Sequence, residues 1–283
     1  MIVSYISDLH LEFEPDFVLT NPYGASVLVL AGDVLLVEDI KRFPLGVDRP
    51  DVKSQRYERS KRYNQFFELA SALYDHIVYV PGNHEFYGGE YHNVLTVLKN
   101  ELAKFPKVHL LNDEIFQPVP GVVFIGSTLW TDVNKGDVAT MDEIRHGMND
   151  YKQIRVNHQG NQYSRYVKLS PVMTMRANAV SQKFIFDKAK KHKQNGDVVV
   201  VVTHRSPTLQ SVAPAFKHDR LMNGAYASDL SHAVTDSGID YWIHGHIHHI
   251  GQYKEGATEI LCNPHGYPDE LNGQDIDIRM IEF

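Results

Sequence analysis

The chain has 283 residues, which suits one large domain, and 43% of them are hydrophobic, which is enough for an ordinary globular core. The formal net charge of -7 argues against a general nucleic-acid-binding protein, because such proteins usually carry a basic face. The single cysteine, Cys262, excludes a disulfide within the chain.

Neither end nor middle of the sequence resembles a targeting or membrane segment. The first residues run directly into an apolar strand-like run, without the charged and apolar regions of a signal peptide. No apolar stretch approaches the roughly 20 residues that span a bilayer. We therefore expect a cytoplasmic protein.

Five apolar runs recur along the chain, and each ends in a short polar segment. Runs rich in β-branched residues followed by Gly, Asp, Asn or His are typical of buried strands that end at a loop. The runs are 2–6, 27–31, 77–80, 198–203 and 239–243. In open α/β sheets, ligands bind outside the carboxyl ends of the strands, so these five ends are expected to meet at one site.

The remaining pattern predicts helices between the strands. Val94, Leu95, Leu98 and Leu102 share one face at helical spacing. Further strands are predicted at 108–111, 122–129, 258–262 and 276–283, and helices near 60–75, 90–104, 174–193 and 226–236. Strands alternate with helices first and dominate at the end, which favours a layered α/β fold in one domain, 1–283.

Two polar insertions interrupt this pattern, at 38–62 and 132–171. We interpret both as loops or short helices over the active-site face, since long loops in compact domains often act as lids. Tolerated surface excursions without a role remain an alternative. The first insertion is basic; its lysines and arginines are Lys41, Arg42, Arg49, Lys53, Arg56, Arg59 and Lys61.

The polar segments supply ligands for a divalent metal. Asp8 and His10 are two residues apart, and residues at i and i+2 of an extended chain point to the same side. His246 and His248 repeat this spacing after Gly245, whereas the neighbouring His244 still belongs to the apolar strand. Imidazole is the commonest metal-binding side chain, and carboxylates are also frequent ligands.

Three further positions complete the set, and each has a structural alternative. Asp33 can bridge two cations with its two oxygens, or cap a helix. Asn83 offers a neutral oxygen and leaves the adjacent His84 for proton transfer, although Pro-Gly-Asn is also strong turn chemistry. His204 ends a strand, where it can equally be a buried core residue.

Taken together, Asp8-x-His10, Gly32-Asp33, Gly82-Asn83-His84-Glu85, His204 and Gly245-His246-x-His248 resemble, in order and spacing, the calcineurin-like metallophosphoesterase superfamily. The resemblance frames residues 8 to 248. It implies a four-layer αββα sandwich and hydrolysis of phosphodiester or phosphomonoester bonds by a hydroxide that two metal ions activate. The segment Asn263-Pro264-His265-Gly266-Tyr267 resembles a loop that closes this site in bacterial members.

The resemblance also assigns roles to residues. Asp8, His10 and His248 would hold one ion, and Asn83, His204 and His246 the other. Asp33 would bridge the two ions, and His84 would be the catalytic acid. Ligation by nitrogen and oxygen without thiolate suits Mn, Fe, Zn or Co.

One position departs from the protein phosphatases of the superfamily. They carry an Asp three residues after the bridging Asp, where this chain has Leu36, and they lack the counterpart of His248. Both points favour the phosphodiesterase and small-molecule branches, with a small phosphorylated substrate, and they predict that His84 lacks an orienting carboxylate. A single basic contact of the substrate with Arg205 remains open.

Three other functions remain as alternatives. The basic insertion is the one feature that favours a metallonuclease, against the acidic balance of the chain. A protein serine/threonine phosphatase is less consistent with Leu36. A non-catalytic binding scaffold is the least consistent, because every ligand position is filled.

Overall fold

The computed structural model describes residues 1–158, 165–270 and 277–283. Two twisted sheets face each other. In spatial order, the first sheet holds β13 (Arg279–Glu282), β1 (Ile2–Ile6), β2 (Val27–Leu30), β3 (His76–Tyr79) and β4 (Val108–Leu110). The second holds β11 (Gly251–Glu255), β12 (Thr258–Cys262), β10 (Tyr241–His244), β9 (Val198–Thr203), β6 (Val122–Ser127) and β5 (Glu114–Val119).

The central strands of both sheets are parallel. β1 to β4 pair in parallel, as do β6, β9, β10 and β12, whereas β13, β11 and β5 add antiparallel edges. Parallel strands place their carboxyl ends at the same edge of a sheet. The five strands that were predicted to deliver the site therefore end on the same side of their sheets.

The valine run of β9 shows why these strands are apolar throughout. Val200 and Val202 pack into the core between the two sheets, and Val199 and Val201 pack into the core beneath the outer helices. Successive side chains of a strand point to opposite faces, so a strand covered on both faces must be apolar at every position. Alternation of polar and apolar residues would have left one face open to water.

Helices cover the outer face of each sheet. Val37–Arg42, Gln55–Leu73 and Tyr91–Leu102 lie against the first sheet, and Pro171–Gln194 and Ser231–Ser237 lie against the second. Pro171 stands at the first helical position, where its missing N–H costs nothing. The layers run helix, sheet, sheet, helix, which confirms the αββα fold that the resemblance implied.

The sequence misplaced or missed several elements. The helix expected near 60–75 begins at Gln55, and the one expected at 226–236 is Ser231–Ser237. β5 and β11 were not predicted, because their alternating burial leaves too few apolar residues for a clear run. Of the strand expected at 276–283, residue 276 lies outside the described residues.

The insertions hold short helices, as one of the two expectations had it, and a strand ribbon that was not expected. The first contributes Val37–Arg42 and the opening turns of Gln55–Leu73. In the second, Val133–Gly136 has positive φ at every residue, which is a left-handed turn, and the helices Val138–Gly147 and Asp150–Gln153 follow. An antiparallel ribbon of β7 (Arg155–His158) and β8 (Arg165–Lys168) closes the segment; residues 159–164 lie outside the described residues.

Within the described ranges, none of the helices is both long enough and apolar enough to cross a membrane.

Candidate metal centre

The ends of five parallel strands bring the expected ligands together between the two sheets. Asp8 follows β1, Asp33 follows β2, and Asn83 follows β3 in the first sheet. His204 and His246 follow β9 and β10 in the second sheet. All five side chains are buried.

The first group of ligands joins Asp8, His10 and His248. The Nε2 atom of His248 lies 3.3 Å from Asp8 Oδ1 and 3.2 Å from His10 Nε2. One ligand atom from each of the three residues lies within 4.8 Å of the others, which is close enough for a single ion. This is the set that the resemblance assigned to one ion.

The second group joins Asp33, His204 and His246, with Asn83 beside them. His204 Nε2 lies 3.3 Å from Asp33 Oδ2 and 2.9 Å from Asn83 Oδ1. Asp33 also belongs to a group with His10 and His84, so it lies between the two halves of the centre. This position suits a residue that touches both ions.

The donor atoms of the second group fit a cation. His204 Nδ1 lies 2.9 Å from the carbonyl oxygen of Ala31 and donates its hydrogen there. The Nε2 lone pair of the neutral ring then faces two oxygen acceptors, from Asp33 and Asn83. A positive charge among the three atoms is required, either as a proton on Nε2 or as a metal ion.

The charges of the buried carboxylates are consistent with this reading. Burial alone would raise the pKa of Asp8, but hydrogen bonding to His248 holds it below its ordinary value. Burial would likewise raise the pKa of Asp33, but the charge of His204 and other histidines holds it well below that value. Both side chains therefore remain anions, the form that binds metals.

His246 and His248 differ in their electrostatics. Burial and the charge of Arg205 lower the pKa of His246 well below its ordinary value, so this ring is neutral and able to bind a metal. Burial also disfavours the charged form of His248, but the contacts with Asp8 and Glu270 raise its pKa to about 10. A metal ion must therefore displace a proton from His248.

The backbone at the ligands is strained. Asp8, His10, Asp33, His246 and His248 all have positive φ, between 44° and 68°. This region is uncommon for residues other than glycine and costs free energy. Five of the seven expected ligands share it, so the fold holds these side chains in place against a local conformational preference.

Two glycines make room for the ligands. Gly32 has φ of 90°, and a Cβ atom there would collide with the ring of His204. A Cβ atom at Gly245 would lie 2.6 Å from Asp8 Oδ2. The glycines before Asp33 and His246 are thus required by close packing at the centre, as well as by the turns they form.

His84 lies beside the ligands and has an orienting carboxylate. Its Nδ1 atom lies 2.7 Å from Glu12 Oε1, deep in the protein. The expectation that His84 lacks such a partner is wrong, because Glu12 supplies from the loop after β1 what the protein phosphatases supply from the Leu36 position. Glu12 lies two residues after His10, as His10 does after Asp8, and that spacing was the available signal. The positive φ of Asp8 and His10 shows, however, that this segment is a loop and not the extended chain that the spacing suggested.

The remaining nitrogen of His84 faces Tyr267. Nε2 lies 3.0 Å from the Tyr267 hydroxyl, and the Tyr267 ring stacks on His10 with 4.3 Å between centroids. Burial disfavours the charged form of His84, but Asp33 and Glu12 raise its pKa to about 9. The ring therefore carries a proton at neutral pH, as an acid requires.

The loop after β12 contacts the centre, as the resemblance implied for residues 263–267. Besides Tyr267, it brings Glu270, whose Oε2 atom lies 2.6 Å from His248 Nδ1 and accepts the backbone N–H of Tyr267. Sequence reasoning did not find Glu270, since nothing in its local sequence links it to His248.

Glu85 holds the turns that carry Asp33 and Asn83. Its carboxylate accepts the backbone N–H groups of Asp33, Val34, Leu35 and Gly82 and the hydroxyl of Tyr79. Glu85 therefore fastens the end of β2 to the end of β3, which fixes the distance between two ligands.

Arg205 is buried and does not offer a free guanidinium to a substrate. Only 1% of it is exposed, its Nη2 atom donates to Asp150 Oδ2 at 2.5 Å, and it also contacts the ring of His246. Arg205 therefore forms an ion pair with Asp150 of the second insertion, and this pairing argues against a contact between Arg205 and the substrate.

Residues 4–249 match the family model of the calcineurin-like phosphoesterases, so this chain belongs to that family. It is accordingly a metal-dependent hydrolase that acts on phosphoric esters. The chain is 27% identical over 294 residues to the uncharacterized protein L509 of Acanthamoeba polyphaga mimivirus, covering 96% of this chain and 93% of that protein.

Among solved structures, the chain resembles the phosphopantetheinyl hydrolase PptH from Mycobacterium tuberculosis. The TM-score is 0.61 at 15% sequence identity, over 99% of this chain and 95% of the other. At that identity the likeness shows the shared fold.

Proposed function

We propose that the chain hydrolyses a small phosphodiester, and monoesters less well, at a centre of two divalent metal ions. Asp8, His10 and His248 would hold one ion, and Asn83, His204 and His246 the other. Asp33 would contribute to both sites, and His84 would protonate the leaving group.

The observation that supports this most is the convergence of lone pairs at His204. Its Nε2 atom faces Asp33 Oδ2 at 3.3 Å and Asn83 Oδ1 at 2.9 Å, with Nδ1 committed to a backbone carbonyl. A neutral ring with Nδ1 committed in this way needs a donor or a cation at Nε2, whereas a protonated ring needs neither. An arrangement of acceptors around an imidazole lone pair is what a metal site needs.

Two ions at this place would polarise the phosphoryl oxygens and lower the pKa of water between them. Residues of the chain supply the proton for the leaving group. Glu12 holds Nδ1 of His84, so the proton for the leaving oxygen sits on Nε2. The Tyr267 hydroxyl lies 3.0 Å from Nε2, so Tyr267 would have to turn away before a leaving oxygen could take that place.

Nucleic acid is not the favoured substrate. The net charge is -7, and part of the basic insertion is already paired, since Arg59 Nε donates to Asp39 Oδ2 at 2.6 Å and Arg56 lies near the same carboxylate. A small substrate needs no extended basic surface.

The test combines metal analysis with an assay on bis-p-nitrophenyl phosphate in the presence of Mn²⁺. We expect close to two ions per chain and hydrolysis that chelation abolishes. Asp33→Asn should lose both the bound metal and the hydrolysis. Asp236→Asn is the matched control, because Asp236 is an exposed carboxylate on Ser231–Ser237. Wild-type protein that binds no metal tightly, or hydrolyses the diester equally well without it, would contradict the proposal.

A panel of small phosphodiesters would then narrow the substrate. It should include a phosphopantetheinyl ester, the group that names the mycobacterial structure, together with cyclic nucleotides, nucleotide sugars and single-stranded DNA. Single-stranded DNA as the best substrate would favour the nuclease alternative.

A further inference from the structure

A carboxylate from the second insertion lies buried beside the metal centre. Asp150, the first residue of Asp150–Gln153, is 1% exposed. Its Oδ2 atom accepts from Arg205, and its Oδ1 atom accepts from the hydroxyl of Tyr87 at 2.8 Å. Neither Asp150 nor Tyr87 is among the expected ligands, so their place at the centre needs a separate explanation.

The hydrogen bonds at Tyr87 have only one consistent direction. An ionised carboxylate can only accept, so the Tyr87 hydroxyl donates its single hydrogen to Asp150. The phenol oxygen is then an acceptor, and it receives the Asn83 Nδ2 group at 2.8 Å. A flipped Asn83 amide would place two acceptor oxygens against each other and lose this bond.

The orientation of Asn83 follows from this chain of bonds. With Nδ2 held by Tyr87, the Oδ1 atom of Asn83 must face the opposite way, towards His204 Nε2 at 2.9 Å. That is the oxygen a metal ion would use, since the amide nitrogen has no lone pair to offer. The bonds therefore select the ligating face of Asn83 before any ion arrives.

We propose that Asp150 and Tyr87 are positioning residues that orient Asn83 for the second metal ion, so that the insertion at 132–171 forms part of the metal centre. The inference rests on the proposed function, which places that ion at Asn83, His204 and His246. A deletion that removes Asp150 from this insertion is therefore expected to weaken metal binding.

The ion pair of Arg205 with Asp150 decides which variant is suitable for testing the orientation of Asn83. The guanidinium pairs with Asp150 and donates to the carbonyl oxygen of Ala225 at 2.6 Å, and Arg205 is buried. Replacing Asp150 would leave a buried cation unpaired, which is strongly destabilising. Tyr87→Phe removes the bond to Asn83 and keeps the ion pair, so it is the primary variant.

The other ion offers a matched comparison. Glu270 contacts His248 Nδ1 at 2.6 Å. It supports a ligand of the first group in the way that Tyr87 supports Asn83 in the second group. Glu270→Gln should therefore weaken the other ion. Tyr151→Phe is the control for loss of a buried hydroxyl, because Tyr151 lies next to Asp150 but bonds Thr174 Oγ1 at 3.1 Å, away from Asn83.

The experiment is a calorimetric titration of metal-free protein with Mn²⁺ for the wild type, the three single variants and Tyr87→Phe/Glu270→Gln. We expect Tyr87→Phe to weaken one ion by about 10- to 100-fold and leave the other unchanged, which is the usual cost of losing a partner of a metal ligand. Glu270→Gln should weaken the binding of the other ion. Tyr151→Phe should weaken the binding of neither ion, and the double variant should weaken the binding of both.

Three results would overturn the inference. Unchanged affinities in Tyr87→Phe would show that Asn83 needs no such support. An equal loss in Tyr151→Phe would show general loosening of the insertion. One ion of wild-type affinity in the double variant would place Tyr87 and Glu270 at the same ion. Wild-type protein that binds fewer than two ions would overturn the proposed function as well, whereas the first three results leave it standing.

Discussion

Replacing Glu12 by Gln tests the role of His84 most directly. Glu12 Oε1 lies 2.7 Å from His84 Nδ1, and the pair is buried. Burial would raise the pKa of Glu12, but the neighbouring rings of His10 and His84 hold it below the ordinary value, so Glu12 is an anion. Gln keeps the shape and an acceptor oxygen, so the variant removes a charge and little else.

The magnitude follows from the charge. An opposite charge within about 4–6 Å typically shifts a pKa by about 1–3 units. Without the metal ions, burial is outweighed and Asp33 and Glu12 raise the pKa of His84 to about 9. Bound ions would neutralise Asp33 and lower that value, which leaves Glu12 as the main anion that keeps His84 protonated.

The direction of the pH effect on activity follows from this. His84 acts as an acid only below its pKa, so activity is lost as pH rises through it. Glu12→Gln lowers the pKa and moves the alkaline limb of the kcat profile down by about 1–3 units. At a pH above the pKa of His84 in both proteins, a downward shift of about two units lowers the protonated fraction of His84 by about 100-fold.

The assay compares pH profiles of kcat for an alkyl and a nitrophenyl diester, with Mn²⁺ supplied. The shift should appear with the alkyl ester and be small with the nitrophenyl ester, whose leaving group needs little protonation. Glu58→Gln, an exposed glutamate on Gln55–Leu73, is the control, and metal content is measured because Glu12 also lies 3.5 Å from His10 Nδ1. An unmoved alkaline limb at full metal content would refute the reasoning.

Four further expectations follow from the same geometry. Asp33→Asn should weaken both ions, since Asp33 lies in both halves of the centre, and metal analysis that still finds two tight ions would exclude a bridging role. His84→Ala should lower turnover by about 10²–10⁴-fold at unchanged metal content, more for alkyl than for nitrophenyl esters, and equal losses would indicate a phosphate-binding role instead. Metal binding should release protons near neutral pH, so the affinity for metal should rise with pH. The reason is that both rings carry a proton that a metal must displace. Burial opposes their charged forms, but Asp33 raises the pKa of His204, and Asp8 and Glu270 raise the pKa of His248 to about 10. Calorimetry in two buffers of different ionisation enthalpy would count these protons, and none released would count against the assignment. Catalytic efficiency should be higher on bis-p-nitrophenyl phosphate than on a phosphoserine peptide, and the reverse would return the chain to the phosphatase branch.

Much of the centre was readable from the sequence because its ligands follow buried strands. A strand covered on both faces must be apolar throughout, as β9 is, so the first polar residue after it stands out. When such strands are parallel, their ends meet at one edge. Asp8, Asp33 and His204 could therefore be placed together from the sequence. The same residues carry the resemblance to the family, and the αββα layers and the hydrolysis of phosphoric esters were what that resemblance implied.

What the tertiary structure decided were contacts between segments far apart in the chain. Glu270 reaches His248, and Asp150 reaches Asn83 through Tyr87, by packing that no local pattern records. The ribbon of β7 and β8 and the edge strands β5 and β11 were also missed, since short or half-buried elements carry a weak hydrophobic signal. The proposed ligands directly follow the strands, so the sequence was enough to predict them. Their supporting partners are fixed by which surfaces come together in the fold, and only the folded chain shows that.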